Sequence, residues 1–333
     1  MTRLGLCCIS LDLKEAGYSF QTLTFKRFSS LPRSEALDIL GSRILNNMQV
    51  THATILHCAG NDYCYRISSD LFPLITYRAA NISIDDLPQY DLIQQEIADI
   101  KQTIADTGIR VSVHPSEYVV LASTNQDAVD RSITELNFYS DFLDSIGCPA
   151  DYNCPMNLHI NNRQGSNDEV VARFIHNFNR LNDNCRNRIC IENDDKLNCW
   201  SVKQLVEDFH PKTKIPITFD YLHHACHPDG WTEEQAINAC YETWHGYRPL
   251  FHYSESIPDH PNPRKHADYA VNDFYTYDLD FDVDMELKAK DKAIAQADGI
   301  LGGFALLVKV GTMHGLNEVD GMVIADELQT IGN

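Results

Sequence analysis

Eight short strand-like runs, separated by segments of helical periodicity, constrain this chain more than any other feature of it. β-Branched or apolar runs fall at residues 3–9, 53–57, 110–114, 157–160, 188–192, 216–220, 250–253 and 281–286. Between most of them, apolar residues recur at helical spacing. Examples are Leu92, Ile93, Ile97, Ile100 and Ile104, then Ile133, Leu136, Phe142, Leu143 and Ile146, then Val170, Val171, Phe174, Ile175 and Phe178. Gly108 and Gly147 read as helix stops, and Thr232 followed by Glu233 and Glu234 as a helix start. Strand–helix–strand repetition requires parallel strands joined by crossovers. Eight such units with no Gly-rich dinucleotide loop predict an α/β fold, a single (β/α)8 TIM barrel over residues 1–298, and not an open doubly wound sheet. Residues 60–88 and the proline-rich stretch 256–264 read as loops, and residues 299–333 as a C-terminal extension with no assigned role.

Of the 333 residues, 44% are apolar, enough for a large core. No apolar run reaches the ~18–20 residues that a membrane span needs, and the N-terminus does not read as a signal peptide. The expectation is a soluble monomer of the cytoplasm, transiently at the nucleoid, or of the host-cell cytoplasm if the source is viral. Eleven cysteines, none in a C-x-x-C spacing, read as reduced and mostly buried small hydrophobes. The net charge of −20 opposes nucleic-acid binding unless cations or a local basic strip offset it.

In a barrel the carboxyl ends of all strands face one mouth. Six consecutive predicted strands deliver His114, His159, Glu192, Asp220 (followed by His223 and His224), His252 and Glu286 to that mouth. A single strand-end histidine or aspartate is most often a polar cap. Six converging imidazoles and carboxylates would desolvate badly and perturb one another's ionisation. Divalent cations remove that conflict, and neutral imidazole with ionised carboxylate is a donor set for Mn or Zn. Such a cluster suits phosphoryl transfer. It also suits sugar isomerisation, and the pattern alone leaves both open.

The runs His114-Pro115-Ser116-Glu117-Tyr118-Val119, Ile191-Glu192-Asn193-Asp194, Phe219-Asp220-Tyr221-Leu222-His223-His224 and Glu286-Leu287-Lys288-Ala289-Lys290 resemble the UV damage endonucleases. So do Arg3-Leu4-Gly5, Arg66-Ile67-Ser68-Ser69, Thr243-Trp244 and Phe251-His252. The resemblance runs from about residue 3 to residue 292 and implies an endonuclease IV-like barrel. It implies nicking of double-stranded DNA immediately 5′ of cyclobutane pyrimidine dimers and 6-4 photoproducts, leaving a 3′-hydroxyl and a 5′-phosphate. It further implies two or three divalent ions, Mn or else Zn. Glu192 would bridge them, His114 and His159 would complete one site, Asp220, His252 and Glu286 a second, and His223 and His266 a third. Glu192, His114, His223 and His266 would be the catalytic groups, and Tyr118 would wedge into the duplex.

Five positions depart from the family pattern. Leu6 and Ser10 stand where Tyr and Asn are common, Glu117 where Gln is, Tyr77 where a His is, and Leu250 where a Lys is. The expected substrate-handling set is therefore Ser10, Tyr77, Glu117, Tyr118 and Leu250. The rival readings are a sugar isomerase or epimerase of similar architecture, a damage-binding relative without turnover, and a general abasic-site endonuclease.

Overall fold

The structure, a computed structural model, describes residues 2–272 and 274–297. Its strands are β1 (Leu4–Cys7), β2 (Cys64–Ile67), β3 (Val111–Val113), β4 (Met156–Leu158), β5 (Ile189–Glu192), β6 (Ile217–Thr218), β7 (Leu250–Tyr253) and β8 (Asp282–Met285). Its α-helices are α1 (Leu11–Glu15), α2 (Phe25–Ser29), α3 (Arg33–Gly60), α4 (Tyr90–Thr107), α5 (Gln126–Ser145), α6 (Asn167–Phe178), α7 (Asp183–Arg186), α8 (Val202–Gln204), α9 (His210–Thr213), α10 (Tyr221–Cys226) and α11 (Glu233–Glu242). The strands pair in the order β6-β5-β4-β3-β2-β1-β8-β7, every pairing parallel. A parallel bridge between Asp220 and His252 closes the ring, and the His252 N–H donates to the Phe219 carbonyl at 2.9 Å. The (β/α)8 TIM barrel expected from the sequence is the observed fold. The seam that closes it lies at the mouth.

One predicted strand is corrected. Residues 53–57 lie inside α3, and the second strand is Cys64–Ile67, within the segment read as loop. The β-branched run at Thr54 and Ile55 imitated a strand, but those two neighbours are both buried while Leu56 faces water. A strand would alternate. The buried series Ile44, Met48, Thr51, Ile55 and Cys58 instead continues a helical face. β2 was hidden by Arg66, an unusual residue in a strand buried on both faces.

Other local signals act as the sequence indicates. Isoleucines 93, 97, 100 and 104 form the buried stripe of α4, and Gly108 ends it at φ 63°. Thr232 caps α11 through a capping box with Gln235. The eleven cysteines are all free and eight are buried. No helix among the described residues is long and apolar enough to cross a membrane. The expected C-terminal extension, 299–333, lies outside the described residues.

The barrel interior is layered by the two-residue period of its strands. At the bottom, fully buried Asp282 accepts from Arg3 Nη2 at 2.7 Å, Arg110 Nη1 at 3.0 Å and Arg248 Nε at 2.8 Å. Arg110 also donates to the carbonyls of Tyr152, Asn153, Arg248 and Pro249, tying two loops to one guanidinium. One layer up, Asp284 accepts from Ser112 Oγ at 3.2 Å. Gly5 faces it, and a Cβ at that position would lie 2.2 Å from Asp284 Oδ1, so a larger residue would displace the buried Asp284 carboxylate where β1 pairs with β8.

Burial would push the Asp282 carboxyl up, but its three arginines hold it well below the usual carboxylate range. Removing it strands the buried Arg110 charge, so Asp282→Ala should lower stability by about 3–5 kcal/mol at neutral pH. A depressed carboxyl contributes fully above its unfolded pKa of about 3.9 and less as pH falls below it. Denaturant titration of parent and variant should therefore show a stability gap that is full at pH 7 and narrows below about pH 4. A gap independent of pH would contradict the charge-based account.

Candidate metal centre

Moving two residues along each strand from the polar interior layer reaches the mouth. Ser112 leads to His114, Asn157 to His159, Cys190 to Glu192, Thr218 to Asp220, Leu250 to His252 and Asp284 to Glu286. Because alternate residues share a face, this register aims all six side chains inward. α10 adds His223 one turn after Asp220, whose carboxylate caps that helix by accepting from the His223 N–H.

Glu192 is the hub. Its Oε2 lies 2.9 Å from His252 Nδ1, 3.2 Å from His114 Nε2 and 3.7 Å from His159 Nε2, and its Oε1 lies 3.2 Å from His223 Nδ1. Three triads have donor atoms close enough to share an ion: His114, His159 and Glu192; Glu192, Asp220 and His223; Asp220, His252 and Glu286. Glu192 links the first two and Asp220 the last two. His266 sits at the edge, its Nδ1 3.7 Å from Glu286 Oε2 and its ring 6.4 Å from that of His223, outside these triads.

Each imidazole is tied on one side. His114 Nδ1 donates to the Pro115 carbonyl at 3.0 Å, His223 Nδ1 to the Asn193 carbonyl at 2.9 Å, and His266 Nδ1 to the Glu286 carbonyl at 3.0 Å. A carbonyl only accepts, so these contacts fix the proton on Nδ1 and leave the Nε2 lone pair free. For His114 that free atom faces Glu192, whereas His223 and His266 turn Nδ1 toward the carboxylates. His159 Nδ1 lies 3.2 Å from Asp194 Oδ1 with its Nε2 toward Glu192. His252 is turned the other way, its Nε2 3.0 Å from Asn157 Nδ2 and its Nδ1 inward. Thr218 Oγ1, 2.8 Å from Asn157 Oδ1, holds that amide in turn. Outer partners of this kind orient metal-binding histidines.

Burial disfavours charge on His223 and His252, yet the surrounding carboxylates raise both, so the cluster on its own balances its charge with protons that cations would replace. Burial acts to raise Glu192, but His252, His159, His114 and His223 outweigh it and keep the carboxylate ionised. Burial likewise opposes ionisation of Glu286, and Arg66 and His252 overcome it. Asp220 is raised by burial. Asp220 Oδ2 and His252 Nδ1, and on the outer side His159 Nδ1, are buried without a hydrogen-bond partner among the described residues. The two of these that face the cluster, Asp220 Oδ2 and His252 Nδ1, lie inside a set of carboxylates and imidazoles that fits a divalent cation.

Sequence reasoning missed Arg66, whose guanidinium pairs with Glu286, together with Asp194, Asn157, Ser112, Thr218 and Asp284. For Ser112, Asn157, Thr218 and Asp284 the signal was available, as polar residues two positions before mouth residues. Of the expected substrate residues, Tyr118 is 79% exposed on the loop after β3, next to exposed Glu117. That turn is pinned by Val119 N–H to the Ser116 carbonyl at 3.0 Å and Ser116 N–H to Glu135 Oε1 at 3.0 Å. Tyr77 is partly exposed and packs on Phe25 at 4.9 Å. Ser10 is buried as the cap of α1 and bonded to Asp291, so both functions of its hydroxyl are engaged. Leu250 is fully buried one layer beneath His252, and Leu6 is core.

A sequence model described as UV-endonuclease UvdE matches residues 2–320. The UV DNA damage endonuclease of Bacillus velezensis is 27% identical over 334 aligned residues, which cover 97% of this chain and 98% of that protein. The crystal structure of SacUVDE superposes with a TM-score of 0.77 at 28% identity, covering 92% of this chain and 99% of that one. Endonuclease IV from Thermus thermophilus shares the fold, with a TM-score of 0.54 at 10% identity over 91% of this chain and 98% of that one. With a family match across nearly its whole length, laid over a barrel of the same architecture, the chain belongs to the UV-endonuclease family.

Proposed function

We propose that this protein is a metal-dependent DNA repair endonuclease that nicks the phosphodiester bond 5′ of UV photoproducts. The lesions are cyclobutane pyrimidine dimers and 6-4 photoproducts, and the products carry a 3′-hydroxyl and a 5′-phosphate. The observation that carries this reading is the set of linked triads on Glu192 and Asp220, at the mouth of a UV-endonuclease-family barrel. The triads would hold two or three divalent ions, Mn first and Zn as the alternative, with His266 completing the outer edge beside Glu286. When bound, such ions activate water and offset charge on a scissile phosphate and its leaving oxygen.

The chain's own residues do the rest. Pro115, Asn193 and Glu286 carbonyls hold His114, His223 and His266 in the tautomer that leaves Nε2 free. Asp194 and Asn157 orient His159 and His252. Arg66 steadies Glu286 from within the barrel. In this reading the chain acts as a monomer on double-stranded DNA despite its net charge of −20, since ions held by the triads would offset the acidic charge of the recessed mouth. Incubation with supercoiled plasmid tests this directly. UV-irradiated plasmid should relax in the presence of Mn and not with chelator, and unirradiated plasmid should stay supercoiled. An intact irradiated plasmid after incubation with metal-loaded protein would contradict the proposal.

Recognition falls to the loop after β3. A phosphate reaches a recessed cluster only if the duplex distorts, and unstacking costs a few kcal/mol per step. A photoproduct is already weakly stacked, which lowers that cost and supplies selectivity. Tyr118 stands out from a pinned turn and fills the gap. Tyr118→Ala should weaken binding to damaged duplex by roughly tenfold or more and leave metal content unchanged, as read by fluorescence anisotropy and metal analysis. Equal binding by variant and parent would remove Tyr118 from this role.

A further inference from the structure

The loop after β5 carries a second exposed apolar side chain at the mouth. Leu197 is 77% exposed, close to the exposure of Tyr118. Isolated exposed leucines are common; the rigid setting of this one sets it apart. The Asp194 N–H donates to the Trp200 carbonyl at 2.8 Å, and the Trp200 N–H donates to Asp194 Oδ2 at 3.0 Å, so the two ends of the loop are clasped. The Cys199 N–H donates to the Lys196 carbonyl at 2.8 Å and closes a tighter turn inside that clasp, with Leu197 at its tip. Fully buried Trp200 roots the loop, donating from Nε1 to the Asn162 carbonyl at 3.0 Å while Arg163 covers its ring. The same Asp194 faces His159, so the loop and the metal centre share one anchor.

We propose that Leu197 is a second probe of the duplex, an aliphatic side chain that enters the base stack of double-stranded DNA beside the metal centre. This rests on the nuclease reading above. The strand order supports it: β3 and β5 flank β4, so the roots of the Tyr118 and Leu197 loops stand two strand spacings apart, about 10 Å. That is on the order of three base steps at about 3.4 Å each, the span of a dinucleotide lesion and one neighbour. His114, His159 and Glu192, the ligands of one triad, come from the three strands between and beneath the two loops. Exposed Lys196 next to the tip supplies a cation for the phosphate of the entered step. Leucine is among the side chains that unstack base steps in this way, and a clasped loop has little conformational freedom left to lose on insertion.

The test uses the metal-loaded full chain and a short duplex carrying one photoproduct, with 2-aminopurine in the strand opposite it. Parent protein should raise the fluorescence as the base unstacks. Leu197→Ala should cut that rise by more than half and weaken binding roughly three- to tenfold, with unchanged metal content and thermal midpoint; Leu197→Met should restore both. If Leu197→Ala keeps the parental fluorescence rise and affinity, the probe role is overturned while the nuclease reading stands. If the parent itself neither binds nor nicks the damaged duplex, the nuclease reading falls and the probe falls with it.

Discussion

A buried carboxylate faced by four imidazoles is the constraint around which this barrel is arranged. Glu192 reaches His114, His159, His223 and His252 within 2.9–3.7 Å, from four different elements. An acid at that depth is costly unless its charge is compensated and its oxygens are engaged. The imidazoles face a matching requirement, since each must present a lone pair and not a proton if it is to share a cation. Backbone carbonyls fix the proton on Nδ1 of His114, His223 and His266, Asp194 faces the outer nitrogen of His159, and the Asn157 amide contacts the outer nitrogen of His252. Because the ligating atoms sit on strand ends and one short helix, their spacing is set by hydrogen-bonded strand registers and not by loop conformation.

The layers beneath the mouth serve the same constraint. Arg66 is a buried cation inside the barrel, directed at Glu286, and offsets part of the acidic charge from below. Asn157 and Thr218 relay from strand to strand and fix His252. At the far end, Asp282 with Arg3, Arg110 and Arg248 closes the bottom as a separate ionic layer. The barrel seam between β6 and β7 is a bridge between Asp220 and His252 themselves, so two residues of the site also close the barrel. Leu250, fully buried beneath His252, fills the interior with a hydrocarbon chain in the same column.

Much of this was legible in the sequence for a physical reason. Apolar strands that end in His, Asp or Glu mark their own carboxyl termini, so the mouth residues could be aligned without knowing the fold in detail. β2 was not legible, because Arg66 breaks the apolar pattern of a four-residue strand while Thr54 and Ile55 in α3 imitate one. The polar layer was missed because Ser112, Asn157 and Thr218 look like ordinary strand residues until their partners across the barrel are known. Ser10 shows the opposite case. A family position suggested substrate contact, and only the structure shows its hydroxyl engaged by α1 and Asp291. His266 follows a proline-rich loop, and its approach to Glu286 depends on how that loop returns.

The central claim is that Glu192 joins cations to one another at the mouth. Metal analysis of Mn-loaded parent and Glu192→Gln protein, after removal of free ion, tests it most directly. The amide keeps the size of the side chain and removes the charge that a bridging ligand must supply. The account predicts more than one bound Mn in the parent and at least one fewer in the variant, with the barrel still folded by circular dichroism. Full and equally tight Mn occupancy in folded Glu192→Gln would contradict it.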